Sequence, residues 1–129
     1  MSATDRSNTG QSHQNRANCI GDAVPSGFDQ TIDHWFETKA FAEPAAFNFG
    51  SCGYDTVRGP GFKRMNLSVF RTLPFGDKRV ELRVETFNLF NWVNYDFPGM
   101  NVSAPASFGR ISASVDAPRE MQFAVKFYF

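Results

Sequence analysis

No stretch of this 129-residue sequence approaches the roughly 18 consecutive apolar residues of a membrane-spanning helix. Its opening residues, MSATDRSNTGQSHQNRAN, contain no apolar core and do not read as a secretory signal. A protein of this kind working outside the cytoplasm is therefore expected to derive from a longer precursor. Charge of one sign is also missing. Thirteen basic and 13 acidic residues give a net charge of +0, so no basic surface invites a nucleic-acid partner.

Catalytic constellations are equally scarce. There is no G-x-S-x-G, no H-E-x-x-H and no phosphate-binding loop. His34 sits beside Asp33 and three residues before Glu37, but no second ligand pair accompanies it, so it reads as a loop histidine rather than a metal ligand. Cys52, within SCG, lacks a histidine partner for nucleophilic work. The expectation is a protein without catalytic residues, bound metal or cofactor. Cysteine itself is sparse: Cys19 and Cys52 are either two unrelated thiols or one disulfide closing a loop.

Phenylalanine is what the sequence has in excess. Fifteen residues are Phe and aromatics reach 16%, while the hydrophobic fraction is an ordinary 42%. Residues 1–62 are rich in Gly, Pro, Ser, Asn and Ala and show no sustained period, so they read as an irregular, loop-like segment. Within them, DHWFETKAF (33–41) could form a helical turn or two, stopped by Pro44.

From Lys63 the pattern changes to a period of two, the mark of a β-strand. Met65, Leu67 and Val69 share one face of a strand over 63–73, and PFGDK (74–78) has turn chemistry. A second strand over 78–90 alternates Val80, Leu82 and Val84 with Arg79, Glu81, Arg83 and Glu85, and pairs antiparallel with the first. After Thr86 the phase slips, through a bulge or the strand's end. Residues 91–118 are irregular again. A third strand over 119–129 places Phe123, Val125, Phe127 and Phe129 on one face, with Gln122, Lys126 and Tyr128 on the other.

Each strand has the length of a tilted bilayer-spanning strand. If the third strand is antiparallel to the second, Phe75 and the Phe127–Phe129 aromatics mark one end of the sheet. Phe90, Trp92 and Tyr95 mark the other. Aromatic bands at two levels suit the girdles of a membrane β-barrel, whose charged face would line a wet lumen. The competing expectation is a soluble, secreted β-sandwich that binds carbohydrate or protein, with Trp35, Trp92 and Tyr95 as stacking platforms.

Four stretches favour the barrel: VRGPGF (57–62), NLSVFRTLPF (66–75), VETFNLFNWVNY (84–95) and FGRISASVDAPREMQFAVKFYF (108–129). Together they resemble the C-terminal end of TonB-dependent outer-membrane receptors, closest to the Oar-related group that carries a carboxypeptidase-regulatory-like domain. QNRANCIGD (14–22) and WFETKAFAEPAAFNFGSCG (35–53) are similar to an upstream loop region of those receptors, although GYD (53–55) stands where they often have Gly-Arg-Asn.

The resemblance implies an all-β fold, the last three strands of a transmembrane barrel of roughly 22 strands around a plug. The 74–78 turn would be periplasmic, and residues 1–62 and 91–118 would belong to extracellular loops, where a Cys19–Cys52 disulfide is permitted. The implied partners are outer-membrane lipid, the remaining barrel and plug, and the barrel-assembly machinery. That machinery would read Phe123, Val125, Phe127 and Phe129 as its signal. Deleting Phe129 from an intact receptor is then expected to lower barrel levels more than ligand affinity. No plug and no TonB box is present, so the sequence reads as a fragment that meets TonB only through parts outside it.

Overall fold

The structure, a computed structural model, describes residues 1–10 and 15–129. Gln14, the first residue of the 14–22 motif, lies outside the described residues. No described helix is long and apolar enough to cross a membrane. The chain forms two compact units whose boundaries differ from the division at residues 62 and 63. One unit joins Met1–Pro60 to Asp96–Ala113; the other joins Gly61–Tyr95 to Ser114–Phe129.

The first unit has little regular structure. A two-residue strand β1 (Asn18–Cys19) pairs antiparallel with β2 (Phe41–Ala42). Between them, the expected helical turns shrink to a single 3-10 turn, Thr38–Ala40, where the Glu37 carboxylate accepts from the Lys39 amide at 3.1 Å. The turn ends because Phe41 passes into β2, well before Pro44.

What holds this unit is a small aromatic core rather than a periodic element. Phe36 is fully buried, and its ring meets Phe41 and Phe108 edge to face at centroid distances of 5.4 and 5.1 Å. Ala17, Ala23, Ala40 and Cys52 fill the space around them. A disulfide joins Cys19 to Cys52, with the Cα atoms 4.9 Å apart across 33 positions of sequence. Gly50 is required where it is, since a Cβ would collide with the carbonyls of Arg16 and Ala17. The 96–113 segment, read from sequence as part of a separate loop, is stitched into this unit. Trp35 donates its amide to Gly109 at 2.8 Å, Ile111 donates to Ile32 at 2.7 Å, and Arg110 pairs with Asp33 at 2.8 Å.

Near the start of the same unit, Asp5 organises a tight loop by accepting from the Ser7 hydroxyl and the Asn8 and Gly10 amides. The Ser7 hydroxyl and then the Gly10 amide hold its carboxyl below the usual carboxylate range. A lowered folded-state pKa means the loop's bonds are intact at neutral pH and weaken as pH falls through that range. Exchange protection of the Asn8 and Gly10 amides is expected to disappear on acidification, while an Asp5→Asn variant should show no such pH dependence.

The second unit is a three-stranded antiparallel sheet in the order β3 (Leu67–Phe75), β4 (Lys78–Phe87), β5 (Glu120–Tyr128). The β3–β4 loop is only Gly76-Asp77, because Phe75 pairs directly with Lys78. Gly76 has φ 61°, the conformation a type II′ hairpin reserves for glycine at its first loop position. Pro74 therefore belongs to the strand and not to the turn, paired with Arg79 next to the hairpin loop. β3 also begins later than the alternation from Lys63 suggests. The backbones of Lys63, Met65 and the side chain of Asn66 are committed to residues 88–94 instead of to a ladder.

Candidate functional site

The register of the sheet decides which side chains share a face. Directly paired residues point the same way, so Val80–Phe127, Leu82–Val125, Val84–Phe123 and Thr86–Met121 lie on one side with Leu67, Val69, Leu73 and Phe75 of β3. Nine of these, namely Leu67, Val69, Phe75, Leu82, Val84, Met121, Phe123, Val125 and Phe127, are 37% to 71% exposed. An apolar face of that extent left bare is not how a soluble sheet is built. Phe129 follows β5 and is almost completely exposed.

The opposite face carries Arg79, Glu81, Arg83 and Glu85 from β4. It also carries Tyr128, Lys126, Ala124 and Gln122 from β5, and Ser68, Phe70 and Thr72 from β3. Its charges are internally balanced and bonded. Arg83 reaches Glu81 at 3.0 Å and Glu85 at 3.8 Å, and the Ser68 hydroxyl donates to Glu85 at 2.8 Å. Arg79 lies over the Tyr128 ring at 4.4 Å and Arg83 over Phe70 at 5.9 Å. Such partly exposed pairs contribute only about 0.2–1 kcal/mol each, so they shape a polar lining more than they stabilise the sheet.

Aromatic residues collect toward the ends. Phe75 and Phe127 sit at the hairpin end, with Tyr128 opposite Arg79. Beyond the far end of β4, Phe90 and Trp92 stack at 4.9 Å, and both are exposed, as is Tyr95. The separation is incomplete: Phe123, opposite Val84, stands among the aliphatics.

That far end is organised by asparagines to which the sequence reading assigned no role. Asn88 and Asn91 have φ of 50° and 53°, a left-handed conformation that Asn tolerates. This ends β4 at Phe87 and explains the change of phase after Thr86. Asn88, nearly fully buried, donates to the carbonyls of Trp92 (2.9 Å) and Ala117 (3.2 Å) and accepts from the Trp92 amide at 3.0 Å. Asn91 accepts from the Arg119 amide at 2.9 Å. Asn94 accepts from the Lys63 amide at 2.7 Å and donates to the Lys63 carbonyl at 2.8 Å and to Asp116 at 3.1 Å. Asp116 in turn pairs with Arg64 at 3.4 Å.

Three segments that are distant in sequence thus meet at Asn88, Asn91 and Asn94. Their three-residue spacing, inside an otherwise apolar stretch of Leu, Phe, Trp and Val, is the sequence signal for this cluster. Asn94→Ala is expected to strand the Lys63 backbone groups and cost about 2 kcal/mol. Urea unfolding in detergent should show it, with faster exchange of the Lys63 amide.

The other candidates belong to the first unit. His34 is exposed in a turn closed by Thr31, and Cys52 is consumed by its disulfide. Trp35 is half-buried, its indole donating to the Arg58 carbonyl at 2.8 Å. Among the described residues, no group of three or more His, Cys, Asp or Glu is arranged to hold a metal ion.

No curated protein and no solved structure matches the chain. A protein-family match described as an outer membrane beta barrel domain spans residues 1–122, which includes both irregular segments, β3, β4 and the start of β5. With a sheet that is apolar on one bare face and charged on the other, and a family match over nearly its whole length, the chain belongs to the outer membrane beta barrel domain family.

Proposed function

We propose that the chain supplies three wall strands and the adjoining loops of a TonB-dependent receptor barrel that takes up a ligand into the periplasm. The observation that carries this reading is the bare, two-faced sheet. The Val80, Leu82, Val84, Phe123, Val125 and Phe127 face meets lipid, and the Arg79, Glu81, Arg83, Glu85, Gln122, Lys126 and Tyr128 face lines the lumen. Both outer edges, of β3 and of β5, lack a strand neighbour among the described residues, and a closed barrel pairs every edge.

The order of the NLFN, Tyr95 and FGR motifs supports the receptor assignment within the barrel family. In this reading the role is structural and non-catalytic. Phe75 at one level and Phe90, Trp92 and Tyr95 at the other are the interfacial girdles. Residues 1–62 and 91–118 face outward, and energy coupling through TonB belongs to a plug.

Two measurements test it. The purified chain should require detergent or lipid; a monomeric, cooperatively folding species in plain buffer would refute the barrel-wall role. In-frame coding sequence for a plug and earlier barrel strands should lie upstream of Met1 in the genome. An authentic promoter there, with no receptor sequence, would sink the TonB-dependent part.

A further inference from the structure

Charge enters the apolar face at two places, and both charges are cations; its other polar residue is the buried Thr86. Register puts Arg71, opposite Leu82, and Lys78, opposite Phe75, on the same side as Val80, Val84 and Phe127. Both side chains are exposed, and neither makes an ion pair among the described residues. The acidic residues of the strands all sit on the other face. There, Glu81, Glu85 and Glu120 balance Arg79, Arg83 and Lys126 three against three. One face is neutral; the apolar one carries two positive charges and no negative one.

We propose that Arg71 and Lys78 hold the phosphate of an anionic lipid headgroup against the hairpin end of this face. The inference rests on the membrane-facing reading above and names the lipid chemistry it takes. Lys78 flanks the hairpin loop, at the level of Phe75, where a headgroup layer meets the aromatic girdle. Arg71 lies four residues further along β3. At about 3.3 Å per residue and a tilt of about 40°, that places its Cα roughly 10 Å deeper. An arginine at that depth is costly without a counter-charge, and its long apolar stem lets the guanidinium reach back toward the phosphates. Charge complementarity selects the occupant: a phosphate supplies the anion that the face lacks, and a guanidinium binds it through two parallel N–H donors.

The test uses the full 129-residue chain, refolded with vesicles of phosphatidylcholine alone or mixed with phosphatidylglycerol, and reads binding by tryptophan emission. At about a fivefold gain per cation near an anionic surface, the wild type should bind mixed vesicles up to roughly 30-fold more tightly. The R71Q/K78Q double variant should lose most of that gain while keeping its binding to phosphatidylcholine. A control pair in the other unit, K39Q/R58Q, should keep the gain, and so should the charge-preserving R71K/K78R. Inorganic phosphate at matched ionic strength should not compete.

If R71Q/K78Q retains the gain, or K39Q/R58Q loses it equally, the headgroup site is overturned while the apolar-face reading stands. Competition by free phosphate overturns a lipid source for the anion. Failure to bind either vesicle overturns the membrane reading together with the site.

Discussion

Removing the Cys19–Cys52 disulfide is expected to destabilise the loop unit by about 4 kcal/mol. Cross-linking residues 33 positions apart removes unfolded-state freedom that grows with the logarithm of loop length, and at this length the chain-entropy relation gives about that value. The unit has little else to hold it. Among the described residues, its regular structure is two 2-residue strands and one 3-10 turn, and its core is a handful of small residues around three Phe rings. Cys52 is itself buried in that core, so the bridge anchors the loop directly to the packed residues.

A C19A/C52A variant avoids leaving a buried hydroxyl. In it, the amides of Ile20, Gly21 and Cys52, which donate to Ala40 and Ala17, should lose several hundred-fold in exchange protection. The hairpin amides of β3 and β4 serve as the internal comparison. Unchanged protection at Ile20 and Cys52 would show that the aromatic core alone sustains the unit.

The second large effect is expected on the sheet, from Val125→Arg. Val125 is central on β5, opposite Leu82, and more than half exposed. In water, an exposed Val replaced by Arg changes stability by less than about 0.5 kcal/mol. Facing lipid near mid-depth, the same change costs about 2–4 kcal/mol. The two environments therefore predict different numbers for one substitution.

Gln122→Arg is the control. It lies on the other face, opposite Glu85, where a cation gains a partner and should be neutral or slightly favourable. Urea titration of both variants, refolded in lipid vesicles, separates the cases. Equal costs for the two substitutions would mean that the faces are not divided between lipid and lumen.

The sheet was legible because its information is local. Strict alternation over Val80–Glu85 and Gln122–Tyr128 assigns each side chain to a face without reference to anything distant. The short hairpin then pairs β3 with β4. The strand ends were less legible, since they depend on partners elsewhere. Lys63 and Met65 continue the alternating pattern, yet their backbones bond to Asn94 and Leu89. Pro74 has turn composition, yet the type II′ geometry at Gly76 needs only two loop residues.

By itself, the sequence determined that this protein is an all-β chain with a two-faced sheet, because a period of two is written in consecutive residues. Only the tertiary structure decided how the irregular segments close. Phe36, Phe41 and Phe108 form one core, Cys19 meets Cys52, and Asn88 and Asn94 clamp segments from both sides of the chain. These contacts join residues up to 72 positions apart, as Phe36 and Phe108 are by difference of their numbers. A contact between distant segments that share no period leaves no pattern in either one.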